Sequence, residues 1–382
     1  MYWQLLVRSA GLPPDLREGS NDLAIYRSAG EAILRGEIPY RDFFIEYPPG
    51  SLPTFVPPAL FSSDKIGYIS LFSSEMALAL VATLLLTALA ARRIDGTWIL
   101  PGATFTAAAI MLYPVAVTRY DAVVALSLAT AVFCATLGGR YLSLAYASLG
   151  LGAAAKLVPA LASLPLATFR RGAARGYAVF FGVVALFFVP ALLLAGGGLL
   201  VSFAYHANRG LQVESLAASI LMQLGRVNEV VFQYGAFEVR GRGVELASSL
   251  SLPVTGALLL VTAFAMYRQY RQGRFGGQAF PRHAAALILA FMLGSKVLSP
   301  QYVIWLLPLV PLSAGGVARV GISALFLAAC WTTTQVFPIH YGDLVNLRAP
   351  GPDLLLIRNL LLILLWGLLL FVPGSTPKKE AS

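Results

Sequence analysis

The residues able to do chemistry gather in a few short stretches. The first reads SNDLAIYRSAGEAILRGEIPYRDFFIEYPPG and carries Asp22, Asp42, Glu46 and Tyr47. A carboxylate there can take a proton from an attacking hydroxyl. A helix cap alone would also account for Asp22, and ordinary loop charges for Asp42 and Glu46. The second stretch, YHANRGLQVES, sets His206, Arg209 and Glu214 within nine residues. Arg209 suits a phosphate or a salt bridge with Glu214. His206 suits a base, a phosphate donor or a plain loop histidine, and His340, in FPIHYGD, lies just outside another apolar run. Lys156 and Lys296 each interrupt a long apolar stretch, followed by Pro159 and Pro300. A lysine in hydrocarbon must line a cavity, find an anion or snorkel. Arg119 and Asp121, in TRYD, stand at a further boundary. One arrangement uses them all: an anionic lipid head group in a hollow, its phosphate met by Lys and Arg, its tail along the helices.

The elements holding these residues are membrane helices. The chain has 382 residues, 58% hydrophobic and 12% charged, with mean hydropathy +0.73. Soluble domains are about 25% charged. This composition excludes a soluble enzyme, a disordered regulator and a disulfide-built secreted domain. Cys134 and Cys330 lie in apolar runs, so they read as small buried hydrophobes. Uncharged runs occupy 97–118, 176–197, 246–267, 320–342 and 359–377, each near the roughly 20 residues a helix needs to cross a bilayer. Residues 66–91, which hold Glu75, and 121–138 join them. The runs are continuous rather than alternating, so helices are expected and membrane strands are not.

Charge decides whether 141–169 and 283–314 are single or split. If both split at their lysines, Arg92, Arg93, Arg140, Arg170, Arg171, Arg175, Arg268, Arg271, Arg274, Arg282, Arg319, Lys378 and Lys379 share one side. That side then holds 13 of the 28 basic residues and two of the 18 acids, Asp95 and Glu380, a net of +11. The other side nets −1. This is the positive-inside pattern, and it draws the overall charge of +10 toward a membrane and away from nucleic acid. The expectation is an all-α polytopic membrane protein with about eleven segments. Its parts are an extracytoplasmic first loop, 1–65, with interfacial helices; a bundle over 66–372 containing the outer loop 198–245; and a cytoplasmic tail, 373–382. In the first loop, Ser20, Asn21 or Asp22 caps a helix to about Arg35 that Gly36 ends, and 51–62 lies in the interface. Residues 1–12 are too short for a span and carry Arg8. A first membrane helix missing from this chain is therefore expected, an interfacial role for 2–7 being the alternative.

At these residues the chain resembles the integral-membrane glycosyltransferases of the C superfamily (GT-C), most of all glycosyltransferase family 87, the bacterial polyprenyl-phosphate-mannose-dependent mannosyltransferases. The stretches are Asp22–Tyr26 with Gly36–Tyr40 and Glu46–Gly50; Ala154–Pro159; Tyr205–His206 with Arg209–Ser215; and Lys296–Tyr302 before Trp305. The resemblance implies a GT-C-like bundle in the bacterial plasma membrane with its active site on the extracytoplasmic face. It implies a polyprenyl-phosphate sugar donor, a glycolipid or glycan acceptor, and inverting hexosyl transfer, with mannose the expected sugar. Asp22 matches the family's catalytic base in the first outer loop. Lys156, Arg209, Lys296 and Arg119 are expected to bind the donor phosphate. Asp42, Glu46, Tyr47, His206 and His340 are candidates for catalysis or acceptor binding, and Asp121, Glu214, Gln301 and Tyr302 for the cavity. No cofactor is expected, since a lipid phosphate leaves without a divalent metal and the sequence has no D-x-D triplet. A lipid or sugar transporter is the alternative reading, drawn from the broken helices and intramembrane lysines.

Overall fold

The computed structural model describes residues 22–169, 173–274 and 276–371. The expectations for residues 1–12, for Ser20 and Asn21 as caps, for Arg170 and Arg171, and for the tail 373–382 lie outside the described residues.

Helix α1 (Asp22–Leu34) opens the described chain with Asp22 in its first turn, and Gly36 follows it at φ 84°. A 3₁₀ turn, Pro49–Thr54, and a short helix α2 (Val56–Leu60) pack the proline-rich stretch against α1 and the bundle. Helix α3 (Lys65–Asp95) is the longest. Asp64 caps it by accepting from the Gly67 amide at 2.7 Å, and Gly96 ends it at φ 78° behind Arg92 and Arg93. A basic last turn complements the negative end of the helix dipole. The expected span 97–118 is broken into α4 (Ile99–Met111) and α5 (Tyr113–Ala116), because Pro114 supplies no amide to continue a helix. Helices α6 (Asp121–Leu137) and α7 (Tyr141–Ala155) follow.

The lysine interruptions are chain breaks. Lys156 is extended at φ −159°, ψ 123°; a 3₁₀ turn, Val158–Ala162, leads into α8 (Ser163–Phe169). Helix α9 (Ala173–Ala195) buries only Gly176 and Phe180. It exposes Leu193 to 80% and Phe181 to 62%, a surface that only lipid can cover. Helices α10 (Gly197–Asn208) and α11 (Leu216–Gln223) fall in the 198–245 region expected to lie outside, called the outer segment below. There the helical fold carries one small addition: strands β1 (Val227–Gln233) and β2 (Ala236–Gly241) pair antiparallel. Tyr234 and Gly235 join them at φ 50° and 68°, the doubly left-handed two-residue turn that suits a twisted hairpin.

Helix α12 (Val244–Arg271) precedes α13 (Ala279–Gly294). The second break runs through Lys296 into 3₁₀ turns Pro300–Leu306 and Val310–Leu312. Helix α14 (Gly316–Thr334), a short α15 (Tyr341–Val345) and α16 (Gly351–Phe371) complete the bundle. Helix α16 starts eight residues before the expected 359–377 run. It contains Arg358, only 1% exposed, whose guanidinium donates to the Glu214 carbonyl at 2.6 Å. A charge satisfied by protein is admissible inside a span. Among the described residues five helices are long and apolar enough to cross a membrane, and six shorter apolar segments join them, in keeping with about eleven.

Helices α3, α6, α7 and α9 pack in succession, and α12, α13, α16 and α14 form the facing group. Close approach within the first group comes from small residues, as in other membrane bundles. A Cβ at Gly50 would collide with the main chain of Ala154 at the end of α7. A separate apolar cluster, including Val213, Phe237, Val239, Tyr341 and Leu355, gives the outer segment its own core. At the opposite end, Asp95 meets Arg319 and accepts from Gln278, and Arg282 donates to the Ser313 carbonyl. The polar network and the outer cap therefore lie at opposite ends of the bundle.

Candidate active site

The break after α7, the start of α6, the first loop, the outer segment and the break after α13 surround one cavity of about 390 Å³. Asp22 and Arg119 lie in its wall, paired at 2.6 Å with side chains 20% and 15% exposed. The contact is a charge pair rather than an aligned hydrogen bond, since Arg119 Nε lacks a hydrogen-bonding partner while Nη1 donates to the Thr118 carbonyl at 3.1 Å. Asp22 sits in the first turn of α1, where the helix dipole favours a carboxylate.

Lys156 also lines the cavity. Its ammonium donates to Asp121 at 2.8 Å and stands 5.0–5.1 Å from the rings of Tyr120, Tyr302 and Trp305. Aromatic faces attract a cation without neutralising it. Trp305 Nε1 donates to the same Asp121 oxygen at 2.7 Å. Asp121 itself is 1% exposed and lies behind the lining. The residue expected in the cavity thus stands one layer back, against Lys156.

Arg209 reaches the cavity. Among the described residues its guanidinium has no ion pair or side-chain hydrogen bond, whereas Arg119 and Lys156 are both paired. Lys296, expected at the donor phosphate, is placed beside the Arg209 loop. Its ammonium donates to the main-chain carbonyls of Ala207 at 2.8 Å and Arg209 at 2.5 Å, and it is outside the lining. Lys296 shapes the loop that presents Arg209. Gln212 completes this junction: its amide nitrogen donates to the Lys296 carbonyl at 3.0 Å, and its side chain bridges Leu298 N and Ser299 Oγ. The two outer motifs thus form one unit.

Glu46 and Glu214 face the cavity, each with one carboxylate oxygen buried and unpartnered. Burial pushes both carboxyls up to about 7; Arg209 pulls against this at Glu46, and Arg358 at Glu214. His206 meets the Glu46 carbonyl at 2.9 Å, and Tyr47, Gln301 and Tyr302 are in the wall. Two further candidates are placed apart from these residues. Asp42 lies outside the cavity, bonded to Arg41 at 2.9 Å and to the Ile38 amide at 2.7 Å. His340 pairs with Asp343 at 2.9 Å, and its neighbour Tyr341 lines the cavity instead. Tyr341 and the tip of the hairpin, Phe232 to Phe237, were not singled out by motif. The only local sign of the hairpin is the Tyr234-Gly235 pair between β-branched and aromatic residues.

Arg119 and Lys156 are each matched by an aspartate, whereas Arg209 is a lining cation without an ion pair among the described residues. The apolar side chains Leu157, Val158, Leu199 and Phe203 continue the wall. Leu157 is 54% exposed and Phe203 36%, so this side opens toward the membrane. Cations at the rim of an apolar path match the anionic head of a lipid.

This is a polytopic membrane protein with the GT-C fold. The sequence profile of glycosyltransferase family 87 matches residues 44–300, more than half of the chain, and the protein belongs to that family. Asp22 precedes the matched stretch. Among solved structures, ArnT from Cupriavidus metallidurans bound to undecaprenyl phosphate is similar at 16% identity and a TM-score of 0.50, over 97% of this chain and 75% of that one. The same protein in the apo state is similar at 14% identity and a TM-score of 0.49, over 96% and 75%. No curated protein matches the chain.

Proposed function

We propose that the protein transfers a sugar from a polyprenyl-phosphate donor to an acceptor hydroxyl at the extracytoplasmic face of the bacterial plasma membrane. The observation that carries this is the convergence of Asp22, Arg119, Lys156 and an unpaired Arg209 in one cavity with an apolar flank. The bound ligand of the ArnT structure, undecaprenyl phosphate, is of the donor's lipid class. The excess of inner arginines supports the assigned face.

In this reading the donor phosphate sits on Arg209, with Lys156 and Arg119 beside it, and the polyprenyl chain leaves past Leu157 and Phe203. The acceptor oxygen forms a bond to the anomeric carbon from the face opposite the phosphate. The bond from that carbon to the phosphate oxygen breaks, and the phosphate keeps the electron pair. The acceptor's proton goes to Asp22. Arg119 serves both ends: a phosphate draws it from Asp22 and frees the carboxylate to act as base. The configuration at the anomeric carbon inverts. Mannose is the sugar the family resemblance favours; a glycolipid or glycan supplies the hydroxyl. Transfer proceeds without a divalent metal, and activity that disappears in chelator and returns with magnesium would refute this part.

The experiment is a titration of the purified protein with polyprenyl phosphate in nanodiscs. Arg209→Ala is expected to weaken binding about 10- to 100-fold, the worth of a charge-assisted hydrogen bond. Asp42→Asn is expected to bind like the wild type. Unchanged affinity in Arg209→Ala would overturn the assignment of the phosphate site.

A further inference from the structure

We infer that Glu214 and Tyr341 form a subsite that reads neutral hydroxyls on the sugar ring of the donor. The inference rests on the reading of the cavity as a lipid-linked sugar site. Glu214 is 2% exposed, yet it lines the cavity, and its Oε2 has no hydrogen-bond partner among the described residues. A buried carboxylate oxygen without a partner is costly, and native structures keep one where a ligand or water completes it. Tyr341, a residue 7% exposed, adjoins the same carboxyl and also lines the cavity.

The carboxylate is held in place from behind. Arg358 of α16 donates to the Glu214 carbonyl at 2.6 Å. Asn359 donates to Ser219 Oγ at 3.0 Å, and the Ser215 side chain caps α11 by accepting from the Ala218 amide. The amide of Val213 donates to the Phe237 carbonyl at 2.8 Å. Such fixation is what a selective polar contact needs.

Charge selects the ligand. A carboxylate repels phosphate, so this end does not hold the lipid head. Arg358 and Arg209 already act on Glu214, which disfavours a metal ion or an amino sugar. A carboxyl beside a phenol pairs instead with two hydroxyls, one donating to Glu214 and one shared with Tyr341. The phosphate end and the sugar end of the donor then face opposite charge patterns in one cavity.

The test compares two probes, bare polyprenyl phosphate and polyprenyl-phosphate mannose, on wild type, Glu214→Gln and Tyr341→Phe. The second variant removes one oxygen and keeps the ring, so it guards against a folding defect in the first. Both variants are expected to bind the sugar-bearing lipid roughly tenfold more weakly and the bare lipid within about twofold of wild type. Wild type binding both lipids while neither variant shows the selective loss, or loses both lipids equally, would overturn the subsite alone. Wild type binding neither lipid would overturn the proposed function with it.

Discussion

Glu214 and Glu46 are carboxyls whose neighbours cannot compensate for lost water. Glu214 faces Arg358, Arg209, Tyr341 and Arg119; Glu46 faces Arg209, Asp22, Tyr47 and Lys156. Both are pushed from 4.5 up to about 7 by burial. In the unfolded chain they ionise near 4.5, and in the folded chain only near 7. Their contribution to stability is thus fully present below pH 4.5 and is lost as pH rises through 7. For one such carboxyl the loss is ~3 kcal/mol. The thermal midpoint of the ligand-free protein in detergent is expected to fall between pH 5 and pH 8, and to fall less in Glu214→Gln. An unchanged slope in a Glu46→Gln, Glu214→Gln double variant would contradict this. Asp22 and Arg209 were legible as candidates from residue type and order. Their difference was not: Asp22 is paired with Arg119, distant in sequence, while the Arg209 guanidinium has no ion pair among the described residues.

At the scale of elements, Asp121 ties three pieces of chain together. It starts α6, holds Lys156 at the end of α7 and accepts from Trp305 on the 3₁₀ turn after α13. Asp121→Asn leaves the Lys156 charge poorly matched in a buried place, so a loss of ~3–5 kcal/mol is expected. Asp42→Asn, on an exposed loop pair, is expected to unfold like the wild type. Denaturant unfolding of both variants in one detergent checks the contrast; equal costs would contradict it. The breaks at Lys156 and Lys296 were legible because each lone charge precedes a proline. Their different duties were not, since one lysine meets a carboxylate and ring faces and the other meets carbonyls of Ala207 and Arg209. The start of α16 was hidden for a similar reason. A rule that excludes charge from spans stops at Arg358, whose partner lies in the outer segment.

Over the whole molecule, polarity divides by depth. One end carries Asp95, Gln278 and Arg319 in contact, and the middle presents leucine and phenylalanine to lipid. The other end gathers the first loop, the hairpin cap and both chain breaks around the cavity. Sequence patterning made this division visible, because span length and arginine placement are read along the chain. The β1–β2 hairpin was faint in it, being a short segment marked only by its Tyr234-Gly235 turn, whose order comes from packing on Val213, Tyr341 and Leu355. A base at the carboxylate end of that cavity is worth roughly 10²- to 10⁴-fold in rate. The most direct measurement is therefore the turnover of Asp22→Asn in proteoliposomes supplied with radiolabelled polyprenyl-phosphate mannose and a membrane glycolipid extract. The account predicts that the variant binds the donor as wild type does and transfers sugar at least about a hundredfold more slowly. Transfer at the wild-type rate would contradict it.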